Sequence, residues 1–208
     1  MGIMWKKAHE VFNNVVDRGI EGLPPFDSSW ELAVRYMGDG SFAGDDERVE
    51  ALIRRESRKN AFSTAVTNLG GVLTLPLAIP VNAYASFAYQ ARLAAAVALV
   101  YGHDIRSQRV RTMVGLSMAG RRAVELLKSV GVKFTTMLLE RSAAQLSEKV
   151  LADIGAGVGA RLLAQGGEQA AGILLKTVPV ASAVVCGAID WRYCLAVGRV
   201  SREIFRRG

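Results

Sequence analysis

Cysteine, histidine and aromatic residues are scarce in this 208-residue chain, and each scarcity removes a class of chemistry. The two cysteines are Cys186 and Cys194. Eight residues apart on one helix, they stand about 12 Å apart at ~1.5 Å per residue. That is too far for a disulfide and wrong for a structural zinc site. A reduced, cytoplasmic protein is the simplest reading. His9 and His103 are the two histidines, too few for a multi-histidine centre, so no metal and no cofactor are expected. Aromatics make up 7% of the residues, and they do not alternate with basic residues in the way that stacks bases. Nucleic acid is therefore not expected as a partner. The opening stretch, "MGIMWKKAHEVFNN", lacks the apolar core of a signal peptide.

Charge is missing from residues 60–91, and Arg92 is the one charged residue between Lys59 and Asp104. A stretch of about 20 apolar residues suffices to cross a bilayer. Here, however, Gly70-Gly71, Pro76, Pro80 and Asn82 interrupt it. A hairpin of two helices meeting at "GGVLTLPLAIP" fits better, in a protein core in preference to a membrane.

What the chain has in quantity is hydrophobic surface, at 50% of residues, with helical periodicity and no run of strand-like alternation. The first 60 residues hold 9 Lys and Arg against 11 Asp and Glu; the rest hold 17 against 8. The basic part is also the apolar part, a combination that suits anionic lipid surfaces before nucleic acid.

The pattern predicts a helix over 3–19, broken by "GIEGLPPFDSS", then a second, "WELAVRYM", capped by Ser28 or Ser29. Asp45 to Glu47 suit the start of a third, running through "ERVEALIRRESRKN" with a solvated charged face. A fourth covers about 81–101 behind Pro80, with Ala91, Ala94, Ala95 and Ala98 leaving a small-residue face. Gly102 ends it, and Ser107 caps a single helix, "QRVRTMVGLSMAGRRAVELLKS", that stops at Gly131. A long segment follows from Lys133 to about Leu163, weakened at "GAGVGA". Thr177-Val178-Pro179 opens the last helix. The expected fold is all-α: a single bundle-like domain over 45–208, with a small N-terminal helical extension over 1–44.

Ten residues in order, Gly70, Gly71, Leu75, Pro76, Pro80, Gln90, Arg92, Tyr101, Gly102 and Asp104, resemble the core signature of the EcsC family. Pro179, Gly187, Asp190 and Phe205 resemble its C-terminal pattern. The resemblance covers about residues 45–207 and departs from the pattern at Asn82, where Asp is expected, and at Cys186, where Gly is usual. It implies an all-helical, mainly bacterial protein with a membrane connection. The family is named for an operon partner of an ABC transporter, and the resemblance carries no catalytic mechanism.

Buried guanidinium needs a partner, because an isolated buried charge is prohibitively costly. Arg92 and Asp190, each inside an apolar segment, pose this problem. The expectation is a polar cluster of Asn82, Gln90, Arg92, Asp104 and Asp190 in which Arg92 or Gln90 meets Asp190 or Asp104. A core network fixing helix register is preferred to a ligand headgroup site. His103-Asp104 is a pair suited to proton transfer, but no Ser or Cys stands in a nucleophile-elbow context. The ring of His103 suits the free carbonyls at the end of the 81–101 helix. "GAGVGA" formally resembles a dinucleotide loop but lacks a preceding strand, and close helix packing is the better use of its glycines. Arg106, Arg109, Arg111, Arg121 and Arg122 lie along one helix, and Arg199, Arg202 and Arg206 form one face of the last. Near an anionic surface each such charge contributes on the order of 1 kcal/mol.

The leading expectation is a non-enzymatic helical protein that binds lipid, or associates peripherally with anionic membranes, through apolar helices and arginine-rich faces. The anionic phospholipid surface is the expected partner, with a membrane protein complex as a further one. Two alternatives stand beside it. One is a hydrolase or transferase acting on a lipid-like substrate through His103, Asp104 and Asp190; the other is a soluble adaptor of an ABC-transporter-type membrane complex.

Overall fold

The computed structural model describes residues 3–22, 24, 26–69, 81–129, 131, 147–174 and 179–206. The described chain is all-helical and holds no strand. The helices are α1 (Ile3–Glu21), α2 (Ser29–Met37), α3 (Asp45–Leu69), α4 (Val81–Val100), α5 (Gln108–Met118), α6 (Ala123–Ser129), α7 (Glu148–Leu174) and α8 (Pro179–Phe205). The expected hairpin tip at "GGVLTLPLAIP" and the segment after Lys133 up to residue 146 lie outside the described residues.

Local chemistry sets several boundaries. Ser28 and Glu31 form a reciprocal cap on α2: the Ser28 Oγ accepts from the Glu31 N–H at 3.2 Å, and the Glu31 carboxylate accepts from the Ser28 N–H at 2.8 Å. Each bond satisfies a backbone donor that the helix start would otherwise leave free. Ser28→Ala is expected to cost about 1 kcal/mol, read as a lower urea midpoint with an unchanged slope. Gly102, at φ 74, ends α4 and lets the His103 N–H turn back to the Ala98 carbonyl at 2.9 Å.

The single helix expected between Ser107 and Gly131 is two. α5 stops at Met118, a 3-10 turn follows over Gly120–Arg122, and α6 starts at Ala123. Gly120 takes φ 55, a left-handed conformation that only glycine adopts without strain. Periodicity alone reads through such a break, because the apolar positions resume in phase on its far side.

α3, α4 and α8 form the centre. α3 runs antiparallel to α8: Asp46 meets Arg206 at 2.6 Å, Glu50 meets Arg202 at 3.3 Å, and Ile53 lies over Gly198. Around them pack α1, α2, α5 and α7. Phe12, Val15 and Val16 of α1 belong to the same core cluster as Leu52, Leu93, Leu116 and Ile154. The N-terminal segment is thus part of the one core and not an extension to it. Glycine makes this possible. A Cβ at Gly159 would stand 2.6 Å from the Ala8 carbonyl carbon, and one at Gly155 would stand 3.1 Å from the Phe12 ring. The "GAGVGA" glycines serve close packing, as the sequence predicts. No described helix is long and apolar enough to cross a membrane.

Candidate functional site

Arg92 is buried, and its partner is Glu56 of α3, at 3.0 Å. The guanidinium also donates from Nε to the Asp27 carbonyl at 2.5 Å, and it lies over the rings of Tyr89 and Phe26, 5.4 and 5.9 Å from their centroids. Glu56 is itself 1% exposed and accepts from the Tyr89 hydroxyl at 2.7 Å and the Lys59 ammonium at 2.8 Å. Burial opposes its charge, but Lys59, Tyr89 and Arg92 together hold the carboxyl below the usual glutamate range. Burial and the Glu56 charge push the Tyr89 phenol up, so it stays a donor. The group is satisfied from all sides, as a buried pair must be to offset its lost hydration.

The sequence expectation for this cluster needs correction. Arg92 does have an anionic partner inside the bundle, but the partner is Glu56, which sequence reasoning missed. Its signal was there: Val49, Leu52, Ile53, Glu56, Ser57 and Asn60 fall on one helical stripe, all buried. An acid on that stripe cannot be solvated. Gln90 is buried and donates to Ser86 at 3.3 Å. Asp104 is exposed and accepts from the Arg106 N–H at 2.9 Å, a turn-forming bond that keeps it out of the cluster. Asn82 lies on α4 with its side chain outside the described residues.

Asp190 is buried one turn before Cys194. Burial, with Asp190 next, pushes the Cys194 thiol up to about 12, which leaves it an unreactive core group. Ser57 lies close enough to the thiol to oppose that shift, yet its Oγ has no hydrogen bond of normal geometry among the described residues; nor has Asn60 Nδ2. By the α3–α8 register Asn60 is level with Asp190. The interior of α3, α4 and α8 therefore carries a polar layer, and Asp190 belongs to it.

His103, Asp104 and Asp190 do not converge. His103 Nε2 lies 2.8 Å from the Phe205 carbonyl and its ring packs on Phe205, at the end of α8. Asp190 lies fifteen residues earlier on that helix, roughly 22 Å away at ~1.5 Å per residue. The histidine sits at a helix terminus as expected, but the carbonyl it meets belongs to α8 and not to its own helix.

The basic residues divide into two kinds. Arg202 and Arg206 are tied to Glu50 and Asp46 of α3, and Tyr101 donates to Asp46 at 2.7 Å. The Tyr101 bond, with Arg206 and Arg202, holds the Asp46 carboxyl below its usual range. This corrects the expectation of one arginine face on the last helix open to an anionic surface: two of its three arginines hold α8 against α3. Arg111 is likewise paired, with Asp17 of α1. Arg106 and Arg109 are exposed, and the side chain of Arg121 lies outside the described residues. Arg122, Arg192 and Arg199 are exposed and have no carboxylate partner among the described residues.

Those three arginines, with Arg161 of α7, line a groove of about 590 Å³ between the 3-10 turn, α7 and α8. The helical repeat explains its make-up. At about 100° per residue, Ile189, Tyr193 and Ala196 form one stripe of α8, and Arg192, Leu195 and Arg199 form the next. Ile189 and Tyr193 are 43% and 48% exposed and stand one turn apart on the first stripe. The wall opposite begins where Gly120 breaks α5 from α6, which places Arg122 on the groove. Among the described residues, neither Asp nor Glu lines it. It is an apolar strip beside a cationic one, with the volume of a small-molecule site.

No family model matches the chain, and searches of curated proteins and of solved structures return no match.

Proposed function

We propose that this chain is a non-enzymatic helical protein that binds anionic lipid peripherally, at the groove between α7 and α8. The observation that carries the reading is the juxtaposition of exposed Ile189 and Tyr193 with Arg122, Arg192 and Arg199, in a lining whose described residues include no carboxylate. An acyl chain shields the first set from water, and a phosphate or carboxylate headgroup meets the second through charge-assisted hydrogen bonds. The EcsC resemblance, with the membrane connection it implies, points the same way. So does the separation of His103 from Asp190, which removes the constellation on which a hydrolase reading depends.

Flotation with vesicles tests it. The protein is expected to rise with phosphatidylglycerol-containing vesicles at low salt, to stay behind with pure phosphatidylcholine, and to dissociate as salt rises. Reversing two surface charges, Arg192→Glu with Arg199→Glu, is expected to weaken binding at least about tenfold, since each contributes on the order of 1 kcal/mol near the surface. Arg202 and Arg206 are the wrong targets, because reversing them breaks the link to α3. Failure to float with any anionic vesicle at low salt removes the reading.

A further inference from the structure

We infer that the groove selects a lipid phosphomonoester over a phosphodiester; this rests on the lipid reading above and specifies its headgroup. Charge balance at the groove sets this preference. Several arginines elsewhere face carboxylates at close range: Arg92 meets Glu56, Arg48 meets Asp45 at 2.8 Å, Arg54 meets Glu50 at 2.8 Å, and Arg206 meets Asp46; Arg106 and Arg109 are exposed without such a pair, but no apolar groove adjoins them among the described residues. At the groove, Arg122, Arg192 and Arg199 line one site with no such partner among the described residues. A phosphodiester brings a single negative charge to this set. A phosphomonoester brings about −1.5 to −2 at pH 7, its second proton leaving near pH 6, and offers three terminal oxygens in place of two. Guanidinium forks engage such oxygens in pairs, so three forks are served by the monoester and not by the diester. The Ile189–Tyr193–Ala196 stripe runs beside the arginines and supplies the surface for the attached chain.

Two properties follow. The preference is a property of a site and not of a charged surface, so it holds for a single soluble lipid. It also depends on pH through the ligand: the described residues of the lining include no histidine, aspartate or glutamate, and a change between pH 5 and 8 is assigned to the phosphate.

Calorimetric titration of the full chain with lysophosphatidic acid and with lysophosphatidylglycerol of the same acyl chain, both below their micellar concentrations, tests this. At pH 7.5 the monoester is expected to bind at least about tenfold tighter, with the advantage shrinking below pH 6. Arg192→Gln with Arg199→Gln is expected to abolish the preference while leaving the far-ultraviolet dichroism unchanged, both side chains being exposed. Equal affinities, a pH-independent preference, or a preference indifferent to the arginine changes overturns the inference. Inorganic phosphate binding as tightly as lysophosphatidic acid also overturns it, since the apolar stripe then has no part. Flotation on anionic vesicles with no monoester preference leaves the lipid reading standing without this specification. A monoester preference without flotation keeps the site and removes the membrane surface.

Discussion

Arg92→Met is expected to destabilise the fold by about 3–5 kcal/mol at neutral pH, the cost of leaving one member of a buried ion pair uncompensated. The side chain is 4% exposed and holds Glu56 at 3.0 Å, so its loss leaves the Glu56 carboxylate in the core with Lys59 and Tyr89 alone. The Asp27 carbonyl also loses its donor. The pH dependence has a definite sign. The folded-state pKa of Glu56 lies below the ordinary value of 4.5. Its ionised form therefore contributes stability above that value, and the contribution is lost as pH falls through the folded pKa. Without Arg92 the carboxyl has less to hold it ionised, and protonation relieves the fault. The deficit of the variant is thus largest at neutral pH and shrinks below about pH 4.5. Adding Glu56→Leu is expected to restore most of the loss, because two apolar side chains can replace a buried pair at little net cost. Urea unfolding of the three proteins at pH 7 and pH 4 measures all of this. A loss under about 1 kcal/mol, or one that does not change with pH, shows that the pair does not carry the interior.

That Arg92 needs a partner was legible in the sequence; which residue supplies it was not. The requirement is local, since a charge in the middle of a neutral segment fixes its own problem. The solution is tertiary. Glu56 stands among Arg54, Arg55, Arg58 and Lys59, and such a stretch reads as a solvated helix face. Its burial follows from which side of α3 meets α4 and α8, a choice that periodicity expresses only when polar positions are counted as part of the stripe. The same limit applies to α8. Arg199, Arg202 and Arg206 share a face by spacing, yet Arg202 and Arg206 find Asp46 and Glu50 while Arg199 turns to the groove. Acids at the start of α3 serve its dipole in the sequence and the last turn of α8 in the fold. Helix ends were more readable, because Ser28, Gly102, Gly131 and Pro179 act on their own neighbours. The groove was not readable at all: it needs the break at Gly120 and the approach of α7, and neither leaves a mark on any single helix.

Gly159→Ala is expected to lower stability by about 2–3 kcal/mol, whereas Gly157→Ala, two residues away on α7, is expected to raise it by up to about 1 kcal/mol. Both changes gain the same helix propensity, so their difference isolates packing. At Gly159 the new methyl group meets backbone: the Ala8 carbonyl carbon would be 2.6 Å away, and α1 must shift bodily to make room. At Gly157 it meets the Leu126 side chain at 3.3 Å, which a rotamer change accommodates. Gly115→Ala is expected to resemble Gly159→Ala, since its Cβ would collide with the Phe12 ring that α1 inserts between α5 and α7. For a chain of this size the Gly159 change corresponds to a Tm lower by about 5–10 °C. The pair of measurements also decides the standing of the first helix. If both alanines stabilise equally, α1 is not seated against α7, and the N-terminal segment is the extension expected from the sequence. If they diverge as expected, the bundle is one cooperative body whose closest contact passes through a glycine.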